Sequence, residues 1–283
     1  MDTLLLCTDG SDYSQVCAQY AAFLAEKYPF AVRAVYVTDL RQFEVPLISD
    51  LSGSLGIQPY QDMMGQLKEM EEAKAKVIEE NTRAVFKGHP MEENVSFVHR
   101  TGLLVDALEE VEKSADLVLL GKRGENVDFA TEHLGSTMER VVRASRKPCL
   151  VTSRSFQPLS RILLAYDGGK SARKALEFIS RHPYFKTLPL HLVLVVEDPS
   201  GEDRATERLR EAESYLQEQG VSSPVCQLLY GTPEDTIAQY VIDEDIDFLV
   251  MGAYGHSRIR HLFIGSTTTE MIRRCKIPVL LFR

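Results

Sequence analysis

The chain has 283 residues, 44% of them hydrophobic, enough to bury a large core and of a length that more often means two domains than one. Its formal net charge of −9 and a sequence pI near 5.4 argue against a protein whose main work is gripping the nucleic-acid backbone. No apolar run approaches the ~20 residues of a membrane span, and the start MDTLLLCTDGSDYS lacks the basic flank and cleavage site of a secretory signal, so a soluble cytoplasmic protein is expected.

In chain order, LLLCTDGSDYSQVCAQYAAFLA reads as an apolar strand, an Asp-Gly turn and a helix with small apolar spacing, and VRAVYVTD as a second strand. An irregular segment near 39–60, LRQFEVPLISDLSGSLGIQPY, precedes a charged helix over 60–88. In that helix Leu67, Met70, Ala73, Val77 and Ile78 recur at helical spacing among Glu and Lys, which predicts a surface helix with one packed face. The segment before it is open to a second reading, as a lid or partner-docking loop. The strand ADLVLLGKRG and the stretch LGSTMERVVRASRKPCLVTS, a helix followed by a short strand, close the first half.

After the junction SRSFQPLSR, residues 153 to 161, four of these segments have an echo in the same order. RILLAYDGGKSARKALEFIS answers the opening, HLVLVVED the second strand, IDFLVMGAYG the fourth, and IGSTTTEMIRRCKIPVLLFR the end. Four matched segments in fixed order indicate duplication, with domains at 1–154 and 159–283. From Val37 to Gly102 is 65 positions against 35 from Val196 to Gly231, so the first copy carries an insertion between its second and third strands. Strands nearly continuous in Val, Leu and Ile are those buried on both faces. The fold class is therefore α/β: two tandem Rossmann-like domains, each a parallel sheet flanked by helices with right-handed crossovers.

The stretch GAYGHSRIRHLFIGS at 252–266 holds the chemistry. Gly252 and Gly255 follow the fourth strand, at the carboxyl end of the sheet where open α/β folds bind ligands. Gly265, Ser266 and Thr267 then open a helix, whose free amides and positive dipole end suit a phosphate, with His256, Arg258 and Arg260 as nearby cations. The bland alternative is that the first two glycines merely end a strand and Gly265-Ser266 merely caps a helix.

This layout resembles the universal stress protein family, whose nucleotide-binding members carry G-x2-G-x9-G-[S/T] after the fourth strand of a five-stranded α/β domain of the adenine nucleotide alpha hydrolase-like kind. The resemblance spans the whole chain as two tandem domains. It implies ATP as ligand; Mg2+ or Mn2+ could come with the nucleotide, since such ions lean on phosphates and need few protein ligands. Asp167 and Val196 would then surround the adenosine, the valine through its backbone; Met251 and Gly252 would pass beneath ribose and adenine; Gly255 would admit the phosphates, and Gly265, Ser266 and Thr267 would bind them.

In the first copy Asp9, Val37, Leu120, Gly121, Gly124, Gly135, Ser136 and Thr137 hold the matching places, with Lys122 and Arg123 as cations. There GKRGENVDFATEHLGS has ten residues, not nine, between its second and third glycines, so a harmless bulge and a displaced phosphate turn both remain open. The resemblance also implies that the short apolar strands KPCLVTS and KIPVLLFR pair between domains, making an internal pseudo-dimer that can dimerise again.

Other motifs lead nowhere. GGKS at 168–171 lacks the Walker glycine, since Leu164 stands in its place. The histidines have no metal-binding spacing. The cysteines, Cys7, Cys17, Cys149, Cys226 and Cys275, form no CxxC pair and read as buried small hydrophobes, so no protein-ligated metal is expected. With no obvious nucleophile or base, the expected protein is a nucleotide-dependent stress-response regulator that reads out to an unidentified protein partner, with slow ATP hydrolysis at most. A nucleotide-using enzyme, hydrolase or adenylating transferase, and a nucleotide-free assembly scaffold are the alternatives.

Overall fold

A computed structural model describes residues 3–28, 30–39, 57–124, 136–253 and 265–283. The first half runs β1 (Thr3–Cys7), α1 (Asp12–Lys27), β2 (Ala31–Asp39), α2 (Ile57–Val85), β3 (Val95–Gly102), α3 (Leu104–Glu112), β4 (Leu117–Gly121), α4 (Ser136–Ala144) and β5 (Cys149–Thr152). The second repeats it as β6 (Ile162–Ala165), α5 (Lys170–Arg181), β7 (Leu190–Val196), α6 (Glu202–Glu218), β8 (Val225–Tyr230), α7 (Pro233–Asp243), β9 (Phe248–Gly252), α8 (Ser266–Arg274) and β10 (Val279–Phe282).

All ten strands form one sheet in the order β3-β2-β1-β4-β5-β10-β9-β6-β7-β8. Within each half the pairing is parallel, as continuous apolar strands require. Leu4, Leu5 and Leu6 are each 0% exposed, which is possible only when both sheet faces are covered. Leu4 and Leu6 pack with Cys17, Ala21 and Leu24 of α1, whereas Leu5 packs with Leu108 of α3 and Val141 of α4. The second half repeats this, α5 and α6 on one face and α7 and α8 on the other. The halves meet at one antiparallel pair, where Val279, Leu280 and Leu281 of β10 face Val151, Leu150 and Cys149 of β5. The pairing of terminal strands expected between domains is thus present, and it fuses two sheets into one.

The linker between halves does more than connect. Phe156 packs edge-on against Tyr20 at 4.9 Å and Phe23 at 5.7 Å. The Tyr20 hydroxyl hydrogen bonds the Ser153 hydroxyl at 2.9 Å and accepts the Gln157 amide at 3.2 Å, so the segment lies pinned over α1.

Two details of the insertion differ from expectation. The charged helix starts at Ile57, inside the segment read as irregular, and ends at Val85 rather than at residue 88. Pro59 falls in its first turn, where the missing amide would have had no partner anyway, and Gly88, at φ +76, turns the chain away after the last turn. The remainder of that segment, residues 40–56, lies outside the described residues.

The packed face also differs. Met70 and Val77 are 67% and 54% exposed, and the buried stripe is Ala75, Ile78, Thr82 and Phe86. The deciding contact is polar: the Glu71 carboxylate accepts from the Tyr36 hydroxyl at 2.8 Å and from Thr38 Oγ1 at 2.9 Å at the tip of β2. Of the residues expected on that face, Ile78 is buried and Leu67 half-buried, whereas Met70, Ala73 and Val77 are exposed. Glu71→Ala should therefore cost about 1–2 kcal/mol in urea unfolding, while Met70→Ala and Val77→Ala stay within about 0.5 kcal/mol. The reverse ranking would mean that the exposed stripe is the buried one in solution.

Candidate functional site

Strand order reverses between β1 and β4 in the first half and between β6 and β9 in the second, and both crevices open at the carboxyl ends of those strands. In the second crevice, Asp167 leaves β6 and its Oδ1 accepts the Gly169 amide at 2.7 Å. Gly168 between them sits at φ +74, which a side chain would strain. Arg208 of α6 lies alongside, donating to the Asp167 carbonyl at 3.0 Å. It is a cation at the strand tips that sequence reading missed. Aligning the copies would have drawn attention to it, because an apolar residue of α2, Ile78, packs on Gly10 where Arg208 packs on Gly168.

Val196 ends β7, 8% exposed, and its carbonyl accepts the Gly231 amide at 3.1 Å, leaving one lone pair for any ligand. Met251 is 5% exposed beneath the crevice. Gly252 has a packing reason of its own: a β-carbon there would lie 3.0 Å from Ser171 Cβ and 3.3 Å from the Ala172 amide nitrogen, at the start of α5. Gly121 does the same against Tyr13 Cβ, at 2.9 Å. The first glycine of each motif thus lets a helix start close against the strand end.

The start of α8 is stapled to β9. Gly265 donates to the Ala253 carbonyl at 3.4 Å, and the buried Thr268 hydroxyl donates to the same carbonyl at 3.1 Å. The first intrahelical bond runs from the Thr269 amide to the Gly265 carbonyl at 2.9 Å, so the amides of Ser266, Thr267 and Thr268 precede it. The N-cap residue is Gly265, which has no side chain with which to cap this N-terminus. Ser266 is exposed beside it. The Thr267 hydroxyl, however, donates to Glu234 Oε1 at 2.7 Å, which leaves its amide rather than its hydroxyl for an anion. Glu234, on the first turn of α7, is a second group the sequence did not point to. Gly255, His256, Arg258 and Arg260 lie outside the described residues.

The first crevice is similar in plan and different in charge. A β-carbon on Gly124 would lie 2.5 Å from Asp9 Oδ2, so these two motif residues meet directly. Asp9 Oδ1 accepts from the Ser11 amide at 3.0 Å and its hydroxyl at 2.6 Å. Leu120 is buried, Val37 lies at the tip of β2, and Ser136 opens α4 with Thr137 exposed beside it. Arg140, one turn further along α4, ion-pairs with buried Asp39 at 3.1 Å. The second half has Glu270 at that place, paired with Arg273 and Arg274. Gly135 lies outside the described residues.

Lys122, read from sequence as a cation near this crevice, reaches instead into the other half. Its Nζ donates to the Cys275 carbonyl, across the seam at the end of α8, and burial pushes its ammonium down to about 8. Among the described residues no group of His, Cys, Asp and Glu could hold a metal ion. Burial raises the Cys149 thiol to about 12 and the Cys275 thiol to about 11, so neither is a nucleophile near neutral pH. No helix among the described residues is long and apolar enough to cross a membrane.

Comparison with known proteins agrees with this architecture. The chain matches the Universal stress protein family over residues 1–153 and again over 158–283. Universal stress protein Slr1230 of Synechocystis is 42% identical over 289 aligned positions, covering 100% of both chains. Universal stress protein MJ0531 of Methanocaldococcus jannaschii is 30% identical over 159 residues, 53% of this chain and 81% of that one. The crystal structure of a universal stress protein from Archaeoglobus fulgidus superposes with a TM-score of 0.72 at 23% identity, covering 99% of this chain and 98% of the other, and so shares the fold. A duplicated five-stranded unit, matched twice by one family, means that the chain belongs to the universal stress protein family.

Proposed function

We propose that this chain is an adenine-nucleotide-binding regulator whose second domain, residues 159–283, holds ATP at the tips of β6 and β9. The observation that carries the reading is the uncapped start of α8, stapled beside the end of β9 at the point where strand order reverses. Three amides without intrahelical acceptors and the positive end of the helix dipole form a ready anion site.

In this reading Asp167 and the Val196 backbone hold the adenosine over Met251 and Gly252. Gly255 admits the phosphates, which lie against Gly265, Ser266 and Thr267 and are taken up by the amides of Ser266 and Thr267, the Gly265 amide being held by the Ala253 carbonyl. Arg208 adds a cation beside Asp167. Mg2+ or Mn2+ arrives with the nucleotide, and Glu234, bonded to Thr267 at the helix start, offers it a carboxylate. The first domain, residues 1–154, offers Asp9, Val37, Leu120, Gly121, Gly124, Gly135, Ser136 and Thr137 as a second site. With no activated nucleophile among the described residues, hydrolysis is slow. The protein acts in the cytoplasm by presenting a nucleotide-dependent surface to a partner.

Ser266→Asp tests the site. The new carboxylate complements the helix dipole, so thermal stability holds or rises by a few tenths of a kcal/mol, yet it repels phosphate and weakens ATP binding by about ten-fold or more in calorimetry. Ser136→Asp does the same for the first domain. Equal ATP affinity in the wild type and both variants, or natively purified protein that neither carries nor takes up adenine nucleotide, would sink the reading.

A further inference from the structure

The duplication provides an internal comparison away from both crevices. Strand registers pair Leu4 with Val32 and Ile162 with Leu190, so Val16, Tyr20 and Phe23 of α1 correspond to Lys174, Phe178 and Arg181 of α5. Likewise Ser153 corresponds to Arg283, because β5 and β10 pair about Leu150 and Leu280. Over α1 lies the linker, its Phe156 packed on Tyr20 and Phe23. The equivalent place on α5 is an open groove of about 450 Å³ running from Tyr28 and Pro148 in the first half to Phe282 in the second.

The two copies differ in a consistent direction. Where the covered copy has Val16, Phe23 and Ser153, the open copy has Lys174, Arg181 and Arg283, and Arg146 adds a fourth cation from the first half. Lys174 donates to the Arg283 backbone oxygen at 2.9 Å, and Arg283 to the Arg143 carbonyl at 3.2 Å. The guanidinium groups of Arg146 and Arg181 have no partner among the described residues. One carboxylate, Glu177, shares the rim. On the floor His182 is 6% exposed, and neither of its ring nitrogens has a hydrogen-bond partner. Tyr28 and Phe178 stack about it at 5.2 and 5.7 Å. A concentration of cations on a chain of net charge −9, around an aromatic floor with an unmet polar group, is matched to a ligand that is both anionic and partly apolar.

We propose that this groove docks an extended acidic segment of a partner protein that carries an aromatic side chain, laid across Phe178 as the linker is laid across Tyr20. The linker supplies the geometry: an aromatic ring on the equivalent of Phe178, with polar groups of the neighbouring backbone bonded beside it. The exchange of Val16, Phe23 and Ser153 for three cations supplies the selectivity, since the linker itself carries no carboxylate. A bound backbone group reaching the floor gives His182 the partner it lacks.

The probe is a fluorescein-labelled peptide EDFEPLD, the linker order with its flanks made acidic, followed by anisotropy against the intact chain. Binding is expected on the order of 10–100 μM at low salt and to weaken steeply with added salt. The exposed pair Arg146→Glu and Arg181→Glu, checked for folding by thermal melting, should weaken it about ten-fold or more, and Lys276→Glu on the covered side should not. Replacing the peptide phenylalanine with alanine should weaken it about five-fold or more without touching the protein's fold. Inorganic tripolyphosphate is the competitor that separates a peptide site from a small-anion site. The proposal falls if the double variant binds equally well, or if the alanine peptide binds as tightly and tripolyphosphate displaces both.

Discussion

Leu280→Ala should destabilise the whole chain by about 3 kcal/mol and lower its thermal midpoint by roughly 6–10 °C. Leu280 is 0% exposed and sits opposite Leu150, 1% exposed, at the centre of the strand pair that joins the two halves of the sheet. The flanking pairs point to the opposite face, where Val279 and Leu281 join α4 and α8 residues in a second layer of core. Both faces of the seam are thus interior. Truncation leaves a cavity between residues of both halves in a close-packed interior that relaxes only in part. Because the seam is shared, the loss should appear in one cooperative urea transition monitored by circular dichroism. Two separate transitions, with only the second moved, would show that the halves fold independently and that the seam adds little.

His182→Phe should reduce the loss of stability that the wild type shows between pH 6.5 and pH 4. Burial pushes the His182 imidazole down to about 4, below its ordinary value near 6.5. Between those values the unfolded chain binds a proton that the folded chain does not, so stability falls as pH falls through this window. Above about 6.5 neither state is protonated and the contribution is constant. The loss is on the order of 2 kcal/mol once residual solvent around the ring is allowed for. Phenylalanine suits the surroundings, since Tyr28, Phe30, Phe178 and Phe185 already pack on the ring with centroids 4.6 to 5.9 Å away. It also removes two buried nitrogens that lack partners. Urea midpoints at pH 4.5 and 7.5 give the answer: an unchanged difference between the two pH values would mean that the imidazole titrates in contact with water.

The order of elements, the duplication and the parallel pairing within each half were legible in the sequence for one reason. Runs such as LLLC and FLVM need cover on both faces, and only helices alternating with parallel strands provide it. The glycine spacing was legible too, as a local property of the backbone, whereas the start of α8 allowed two readings from sequence, a phosphate site or a helix merely capped by Gly265-Ser266. Side-chain partners were not legible. The packed face of α2 was set by Glu71 meeting Tyr36 and Thr38, a contact between residues 33 and 35 positions apart that apolar periodicity does not encode.

Lys122 reads as a cation within the first motif, yet the antiparallel seam carries it to the Cys275 carbonyl of the other half. Thr267 reads as a phosphate ligand, yet α7 brings Glu234 to its hydroxyl. The open groove beside Phe178 has no signature at all in one dimension, because it exists only where two copies of a pattern meet and a single linker covers one of two equivalent places. Burial and backbone chirality act residue by residue and are written along the chain. Which charges meet, and which surfaces stay uncovered, follow from packing two halves against each other, and the tertiary structure alone decides them.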